Sequence, residues 1–190
     1  KCKPLILRGI FLLRKFEIEW FYQKGCDMIY PDEWENYKSV IPKKEQNNFV
    51  KAYYKRLTSK NKSTRIKAAT AWSKWEASTS KLVQEKKSLH HFDDPKVAEA
   101  FARIECHYFI NNAFFKNDNW ILENINKIKN IPGAIIQGRY DVVCPMKSAW
   151  DLHKKLNHFE FYIIDKAGHS MLEKDIQSQL IDCTNRFIKY

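Results

Sequence analysis

The chain has 190 residues, of which 44% are hydrophobic, and its 33 Lys and Arg residues exceed its 22 Asp and Glu residues, giving a net charge of +11. This composition excludes a disordered chain and allows one domain with a sizeable core. The lysines are scattered rather than gathered in a dense block. The charge is therefore interpreted as a solvated surface, and no nucleic-acid partner is predicted. No apolar run is long enough to span a bilayer, so no membrane partner is predicted either.

The five cysteines are dispersed, and no two form a Cys-x-x-Cys pair. They are Cys2, Cys26, Cys106, Cys144 and Cys183. Such a set is typical of free thiols in a reducing compartment, which predicts a cytoplasmic location. The pair His90-His91 has no cysteine or carboxylate at ligand spacing, so neither a metal nor another cofactor is predicted. The chain begins with Lys1, without a signal peptide, and its apolar run starts almost at once, so we expect it to begin in mid-domain.

The first part of the chain predicts one strand followed by helices. Residues 5–7 (Leu-Ile-Leu) form a short apolar run that ends at Gly9, which is typical of a buried strand. No glycine occurs between Gly25 and Gly133, and this stretch is rich in Ala, Lys, Glu and Trp, which predicts a block of helices over residues 11–129. Helix starts are predicted at Pro31-Asp32, Pro42, Ser63 and Asp93-Asp94-Pro95.

The last part of the chain has a different period. Residues 134–136 and 159–164 are short apolar runs, and a helix is predicted between them from Pro145 to Leu156. A final amphipathic helix is predicted over residues 176–188. Its expected apolar face consists of Leu180, Ile181, Thr184, Phe187 and Ile188. The alternation of strand and helix predicts a parallel α/β layer.

Asp141 and His169 follow these two strands, at the points where side chains of a parallel sheet form sites. Adjacent strand ends would place the pair within reach, as the acid and base of a Ser–His–Asp hydrolase; the alternative is a capping Asp and an ordinary loop His. In α/β-hydrolases the serine precedes the acid, on a Gly-x-Ser-x-Gly turn. This chain has no such turn, and Ser170 comes after the histidine. The nucleophile is therefore expected before Lys1.

Two glutamates of the helical block share helix faces with aromatic side chains. Trp72 and Glu76 are four residues apart, and Glu105 shares a face with Phe101 and Tyr108. Such carboxylates are either half-exposed surface groups or, in a partly desolvated pocket, the partners of a ligand's positive charge.

Several stretches, in order along the chain, strongly resemble prolyl aminopeptidases (proline iminopeptidases). They are residues 7–11, 20–23, 71–76, 102–109, 138–145, 148–153 and 167–170. The resemblance covers this whole chain but only the C-terminal part of the family's length. It implies the C-terminal portion of an α/β-hydrolase parallel sheet with an inserted helical cap. The implied parts are a core strand in residues 1–10, the cap in 11–129 and the catalytic C-terminal core in 130–190.

The resemblance also implies an activity, namely release of N-terminal proline from peptides through an acyl-enzyme on serine. Asp141 would be the acid, His169 the base, and Glu76 and Glu105 the holders of the substrate's amine. The further substrate-binding residues are Phe11, Phe21, Tyr108 and Cys144. The chain departs from the family at residues 111–113 (Asn-Asn-Ala), where glycine is usual, and at Cys106, where Asn is usual.

Two other functions stay open. An esterase or epoxide-type hydrolase could use the same fold, although a neutral substrate would not need the two glutamates. A non-catalytic binding protein or a degenerate gene fragment would lack a Gly-x-Ser-x-Gly turn upstream of Lys1. The 190 residues alone are expected to be catalytically inert, because they lack the nucleophile. No oligomeric state is predicted.

Overall fold

The computed structural model describes residues 2–84 and 94–189, which form two compact units. The helical unit comprises residues 13–79, 83–84 and 94–118. The sheet unit comprises residues 2–12, 80–82 and 119–189. His90, His91 and Asp93, which the sequence singled out, lie outside the described residues.

Within its described residues, the helical unit contains five α-helices. They are α1 (Lys15–Tyr22), α2 (Pro31–Ser39), α3 (Phe49–Leu57), α4 (Lys62–Thr79) and α5 (Pro95–Ile110). The starts predicted at Pro31 and Pro95 are confirmed. Asp94 caps α5 by accepting the backbone N–H of Lys96 at 2.8 Å, as an aspartate in that position does.

Two predicted helix starts were wrong. Pro42 precedes only one 3-10 turn (Lys43–Glu45), and the α-helix begins later, capped by Asn48. Ser63 lies inside α4, and the side chain of Asn61 accepts the N–H that a cap must satisfy. Ser and Asn are nearly equivalent as caps, so the local pattern could not distinguish between neighbouring candidates.

Large aromatic rings form the core of the helical unit. The buried rings are Phe21, Tyr22, Trp34, Tyr37, Phe49, Tyr53, Trp72, Trp75 and Phe109. The rings of Tyr22 and Trp72 stack with centroids 4.3 Å apart, and those of Tyr37 and Tyr53 stack at 4.6 Å. Rings of this size bury much apolar area per residue, which stabilises a unit composed only of short helices.

The turn after α5 adopts a backbone conformation that favours glycine. Asn112, Ala113 and Phe114 have φ angles of 48°, 53° and 60°. This is the left-handed region, where a Cβ costs free energy. The turn in which the resemblance implies a glycine is therefore one where this chain accepts backbone strain.

The sheet unit contains three parallel strands in the order β1–β2–β3. They are β1 (Leu5–Arg8), β2 (Gly133–Gly138) and β3 (Glu160–Ile164). In the register, Ile135 of β2 pairs with Leu7 of β1 and with Phe161 of β3. The three predicted strands and their parallel arrangement are confirmed. Parallel strands end at one edge, so the segments that follow β1, β2 and β3 come together there.

Helices cover both faces of this sheet. They are the short α6 (Trp120–Glu123), α7 (Met146–Lys155) and α8 (Lys174–Phe187). Successive side chains of β2 point to opposite faces. Ile135 packs in a cluster with Leu152 of α7, whereas Ala134 and Ile136 pack with Ile176 of α8. This division explains why every residue of β2 is buried.

The predicted apolar face of α8 is confirmed for Leu180 and Phe187 and was wrong for the other three residues, which are exposed. The face that packs on the sheet consists of Ile176, Leu180, Cys183 and Phe187. Ile181 and Ile188 are 54% and 74% exposed. The helix carries two overlapping stripes of apolar residues, and the sheet surface, which the helix sequence does not contain, determines which stripe is buried.

Two isoleucines of α8 test this packing. We expect Ile176→Ala to lower the free energy of unfolding by about 3 kcal/mol, because it leaves a cavity under a fully buried side chain. Ile181→Ala removes the same atoms from an exposed position and should cost less than about 0.5 kcal/mol. Urea titrations of both variants followed by circular dichroism measure the difference. Equal losses would contradict the assignment of the buried face.

Candidate active site

Asp141 and His169 meet beyond the carboxyl ends of β2 and β3. The Nδ1 atom of His169 lies 2.9 Å from Oδ2 of Asp141. The Asp141 side chain is 1% exposed and the His169 side chain is 20% exposed. A carboxylate on Nδ1 favours the tautomer that carries its proton there, which leaves Nε2 free to accept a proton. The two side chains thus lie within hydrogen-bond reach, as two adjacent strand ends would place them, while their roles remain a prediction.

A buried amide holds the carboxylate of Asp141 in place. Gln137 of β2 is fully buried, and its Nε2 donates to Oδ2 of Asp141 at 2.9 Å and to the carbonyl of Cys144 at 2.9 Å. Its Oε1 accepts the backbone N–H of Ile10 at 3.0 Å. Oδ1 of Asp141 accepts the N–H of Cys144 at 2.8 Å. The carboxylate therefore has donors on both oxygens, which offsets its burial.

Sequence reasoning did not single out Gln137. A polar residue within a buried apolar strand was the available signal, because a buried amide needs partners. One of its partners, Ile10, is distant in sequence, and the pattern around residue 137 does not show that the nearby Asp141 and Cys144 turn back to bond it.

Two glycines allow the backbone to approach the histidine loop. Gly9 has a φ of +56°, and a Cβ built on it would lie 2.9 Å from Cε1 and 3.2 Å from Nδ1 of His169. A Cβ on Gly138 would lie 1.9 Å from the carbonyl oxygen of Gly168. Real Cβ contacts are never this short, so only glycine lets the ends of β1 and β2 pack against this loop.

The loop that carries His169 is bonded through its backbone. The N–H groups of His169 and Ser170 both donate to the carbonyl of Ser80, at 2.9 and 2.8 Å. The guanidinium of Arg8 donates to the carbonyl of His169. The hydroxyl of Ser170 accepts the N–H of Leu172 at 3.2 Å. Ser170 thus has a local structural contact, which agrees with the interpretation that it is not the nucleophile.

The helical unit holds Glu76 and Glu105 among its stacked rings. The Tyr22 hydroxyl donates to Oε1 of Glu76, and Nε1 of Trp72 donates to Oε2 of Glu105 at 2.9 Å. Glu76 is buried. The two donor rings are the pair that stacks at 4.3 Å, so one aromatic stack bonds both carboxylates.

Burial and the negative charge of these carboxylates raise the pKa values of the titratable groups around them. Burial raises the pKa of Glu105 to about 7, although the hydrogen bond from Trp72 opposes the shift. Burial, followed by the charges of Glu105 and Glu76, raises the pKa of Tyr22. The Cys26 and Cys106 thiols are each raised to a pKa of about 12, by burial and then by the charge of a glutamate. Such a region favours a cationic ligand.

The other predicted substrate-binding residues differ in their surroundings. Phe21 is buried and packs edge-on against Tyr22 at 4.8 Å. Tyr108 is 47% exposed, and its ring packs edge-on against Phe114. The next residue, Phe109, is buried with its ring 5.1 Å from that of Tyr22. The structure thus groups Phe109 with the rings that bond the carboxylates.

The remaining two predicted residues belong to the sheet unit. Phe11 is half-buried just beyond β1. Cys144 is buried, and its backbone bonds both Asp141 and Gln137. The backbone of Cys144 therefore helps to hold the Asp141 side chain in place.

Residues 2–84 and 94–189 contain no group of three or more His, Cys, Asp or Glu side chains arranged to hold a metal ion. The same residues include no helix that is both long and apolar enough to cross a bilayer.

Comparison with known proteins agrees with the resemblance seen in the motifs. The chain is 54% identical over 188 residues to a probable proline iminopeptidase of Leptolyngbya boryana, covering 99% of this chain and 59% of that protein. It is 46% identical to a proline iminopeptidase of Xylella fastidiosa (97% and 59% covered) and 48% identical to one of Arabidopsis thaliana (95% and 48% covered). The chain is therefore similar in sequence to part of the proline iminopeptidases. It spans at most about 59% of the length of these relatives. No family model matches the chain.

A solved structure shows the fold. An esterase from Exiguobacterium antarcticum matches with a TM-score of 0.53 and 16% identity, over 97% of this chain and 57% of that enzyme. The parallel sheet, the helices on both its faces and the helical insertion between β1 and β2 are thus the corresponding part of an α/β-hydrolase.

The raised pKa of Glu105 makes the free energy of unfolding of this chain depend on pH. Its folded pKa of about 7 exceeds the ordinary value of 4.5, so the folded state binds the proton more tightly. Stability from this group is complete below pH 4.5 and is lost as pH rises through about 7. We expect Glu105→Gln to gain on the order of 2 kcal/mol relative to the unmodified chain between pH 5 and pH 8.

Glu99, on the same helix, is the matched control for this prediction. The guanidinium of Arg65 bonds Glu99 and holds its pKa below the ordinary value. Glu99→Gln should therefore cost stability that is fully lost at pH 5 and pH 8 alike, and the loss shrinks only as pH falls below 4.5. Melting temperatures of the chain and both variants at pH 3, pH 5 and pH 8 measure both effects. A Glu105→Gln effect independent of pH would contradict the assigned desolvation.

Proposed function

We propose that this chain is the acid-, base- and amine-binding part of a serine exopeptidase that releases N-terminal proline from peptides. The observation that carries the proposal is the 2.9 Å contact between His169 Nδ1 and the buried Asp141. In this role His169 deprotonates the attacking serine and then protonates the leaving amine, while Asp141 stabilises the imidazolium. Its substrate partners are peptides with N-terminal proline.

The carboxylates of the helical unit support the choice of substrate. A prolyl N-terminus is a secondary ammonium on an apolar ring. Glu76 and Glu105 accept its two N–H groups, and the desolvation that raises the pKa of Glu105 strengthens the attraction. Phe21 and the rings of the stack bind the apolar ring. Among the aromatic residues of α5, Phe109 is a better candidate for this contact than the half-exposed Tyr108.

The serine is supplied, in this proposal, by residues outside these 190. Support comes from the missing Gly-x-Ser-x-Gly turn and from the fraction of the relatives' length that the chain spans. The local contact of the Ser170 hydroxyl is consistent with this view. Cys2 and the four buried cysteines form no disulfide in the described part of the chain, which suits a reducing compartment and supports a cytoplasmic location.

An esterase of neutral substrates is the competing function on this fold. Burying two carboxylates costs free energy, which a neutral acyl group would not offset. The likeness to a solved esterase concerns the fold alone and does not favour that activity.

The base assignment is tested by His169→Ala in the complete coding sequence, which is first read upstream of residue 1 for a Gly-x-Ser-x-Gly turn. We expect hydrolysis of prolyl naphthylamide to fall at least about 10³-fold, because the serine loses its proton acceptor. His158→Ala, which removes an exposed histidine of the same unit, is the control and should retain activity. Unchanged turnover in His169→Ala would refute the role.

The amine site is tested with Glu76→Gln and Glu105→Gln. Each should raise KM for prolyl substrates at least about tenfold while leaving hydrolysis of N-acetylprolyl substrates unchanged, because an acetylated amine carries no charge. In the unmodified enzyme, KM for free amines should rise as pH falls below about 7, where Glu105 of the empty site is protonated. Equal activity on free and acetylated substrates would exclude the proposed recognition.

A further inference from the structure

The carboxylate of Glu173 lies among backbone N–H groups beside the His169 loop. Its Oε1 accepts the N–H of Gly168 at 3.0 Å and that of Ser170 at 3.1 Å. Its Oε2 accepts the N–H of Leu82 at 3.1 Å and also lies 3.1 Å from that of Gly168. One carboxylate thus accepts the N–H of the residue before the histidine, that of the residue after it and a third from another segment.

The position of Glu173 at the start of α8 suggests that its side chain caps the helix, but it does not. Glu173 is the N-cap residue of α8, and a cap side chain normally accepts an N–H from the first turn of its own helix. No such hydrogen bond forms here. The side chain turns back instead towards residues 168–170.

The direction of the imidazole depends on two peptide groups, of which Ser80 bonds the one before His169, and Glu173 together with Ser80 bonds the one after it. The Cα–Cβ bond of a residue is oriented by the two peptide groups that flank it. Glu173 holds the N–H groups of Gly168 and Ser170, and Ser80 accepts from His169 and Ser170. The same carboxylate binds Leu82, so the loop is bonded to segment 80–82, which follows directly after α4. Charge-assisted bonds of this kind are about twice as strong as neutral ones.

We propose that Glu173 is a positioning residue for the base. By bonding the N–H groups of Gly168, Ser170 and Leu82, it keeps the His169 imidazole directed at Asp141. The inference rests on the proposed function for its catalytic consequence, but the geometric part concerns the chain by itself. Glutamine in its place keeps the size of the side chain. The single carbonyl oxygen of glutamine accepts fewer of these N–H hydrogen bonds. Its NH₂ group, which is a donor, would lie against a backbone N–H that needs an acceptor.

The test is nuclear magnetic resonance of the 190-residue chain with Glu173→Gln, Glu173→Asp and Asp175→Asn. We expect hydrogen exchange at the three bonded N–H groups to accelerate about tenfold or more in Glu173→Gln. The downfield signal of the Nδ1 proton shared by His169 and Asp141 should broaden or disappear. Glu173→Asp keeps the charge and should restore part of both signals, which provides a second variant if glutamine prevents folding.

Asp175→Asn is the matched control, because Asp175 is exposed in the first turn of the same helix. It removes an equal charge from the helix terminus and should leave the exchange rates and the Nδ1 signal unchanged. If Glu173→Gln also leaves them unchanged, the inference is overturned. Faster exchange with an intact Nδ1 signal would overturn it as well, since the carboxylate would then hold the loop without orienting the base.

A second readout uses the complete enzyme. In Glu173→Gln, kcat for prolyl naphthylamide should fall on the order of 10²-fold with KM unchanged, because a misdirected base affects the chemical step and not binding. An unchanged kcat would contradict the positioning role. If the unmodified enzyme has no prolyl peptidase activity, the proposed function fails, while the resonance measurements still decide the role of Glu173.

Discussion

The parallel pairing of β2 between β1 and β3 is the constraint on which the site in the sheet unit depends. It joins segments separated by more than one hundred residues and aligns their carboxyl ends at one edge. Asp141 follows β2, His169 follows β3, and Gly9, beyond β1, leaves room for the imidazole. Antiparallel pairing of either neighbour would move one of these groups to the opposite edge of the sheet.

Two carboxylates of the sheet unit, those of Asp141 and Glu173, accept hydrogen bonds from neutral donors. Asp141 is bonded by the amide of Gln137 and the N–H of Cys144, and Glu173 by three backbone N–H groups. Neutral donors offset burial of a carboxylate without cancelling its charge. Both oxygens of Asp141 are therefore hydrogen-bonded, which offsets the burial of its side chain.

The helical unit also bonds a carboxylate with a neutral donor, but there the desolvation lowers the free energy of unfolding. Glu105 is bonded by the indole of Trp72, yet desolvation outweighs that bond and raises its pKa. An ammonium ligand would offset this cost, whereas the ligand-free protein retains it. Local destabilisation of this kind is common where a binding group must be ready for its ligand.

The sequence by itself determined the three strands, their parallel arrangement, the helical insertion and the proximity of Asp141 and His169, because periodicity, glycine positions and strand order can be read along the chain. It could not determine which stripe of α8 is buried, that Asn61 rather than Ser63 caps α4, or that Phe109 rather than Tyr108 joins the aromatic stack. Only the tertiary structure decided these, because each depends on a surface contributed by other segments. Gln137 and Glu173 became visible only in the folded chain for a related reason: each side chain has one partner that is distant in sequence, Ile10 for Gln137 and Leu82 for Glu173, and only folding brings that partner to it.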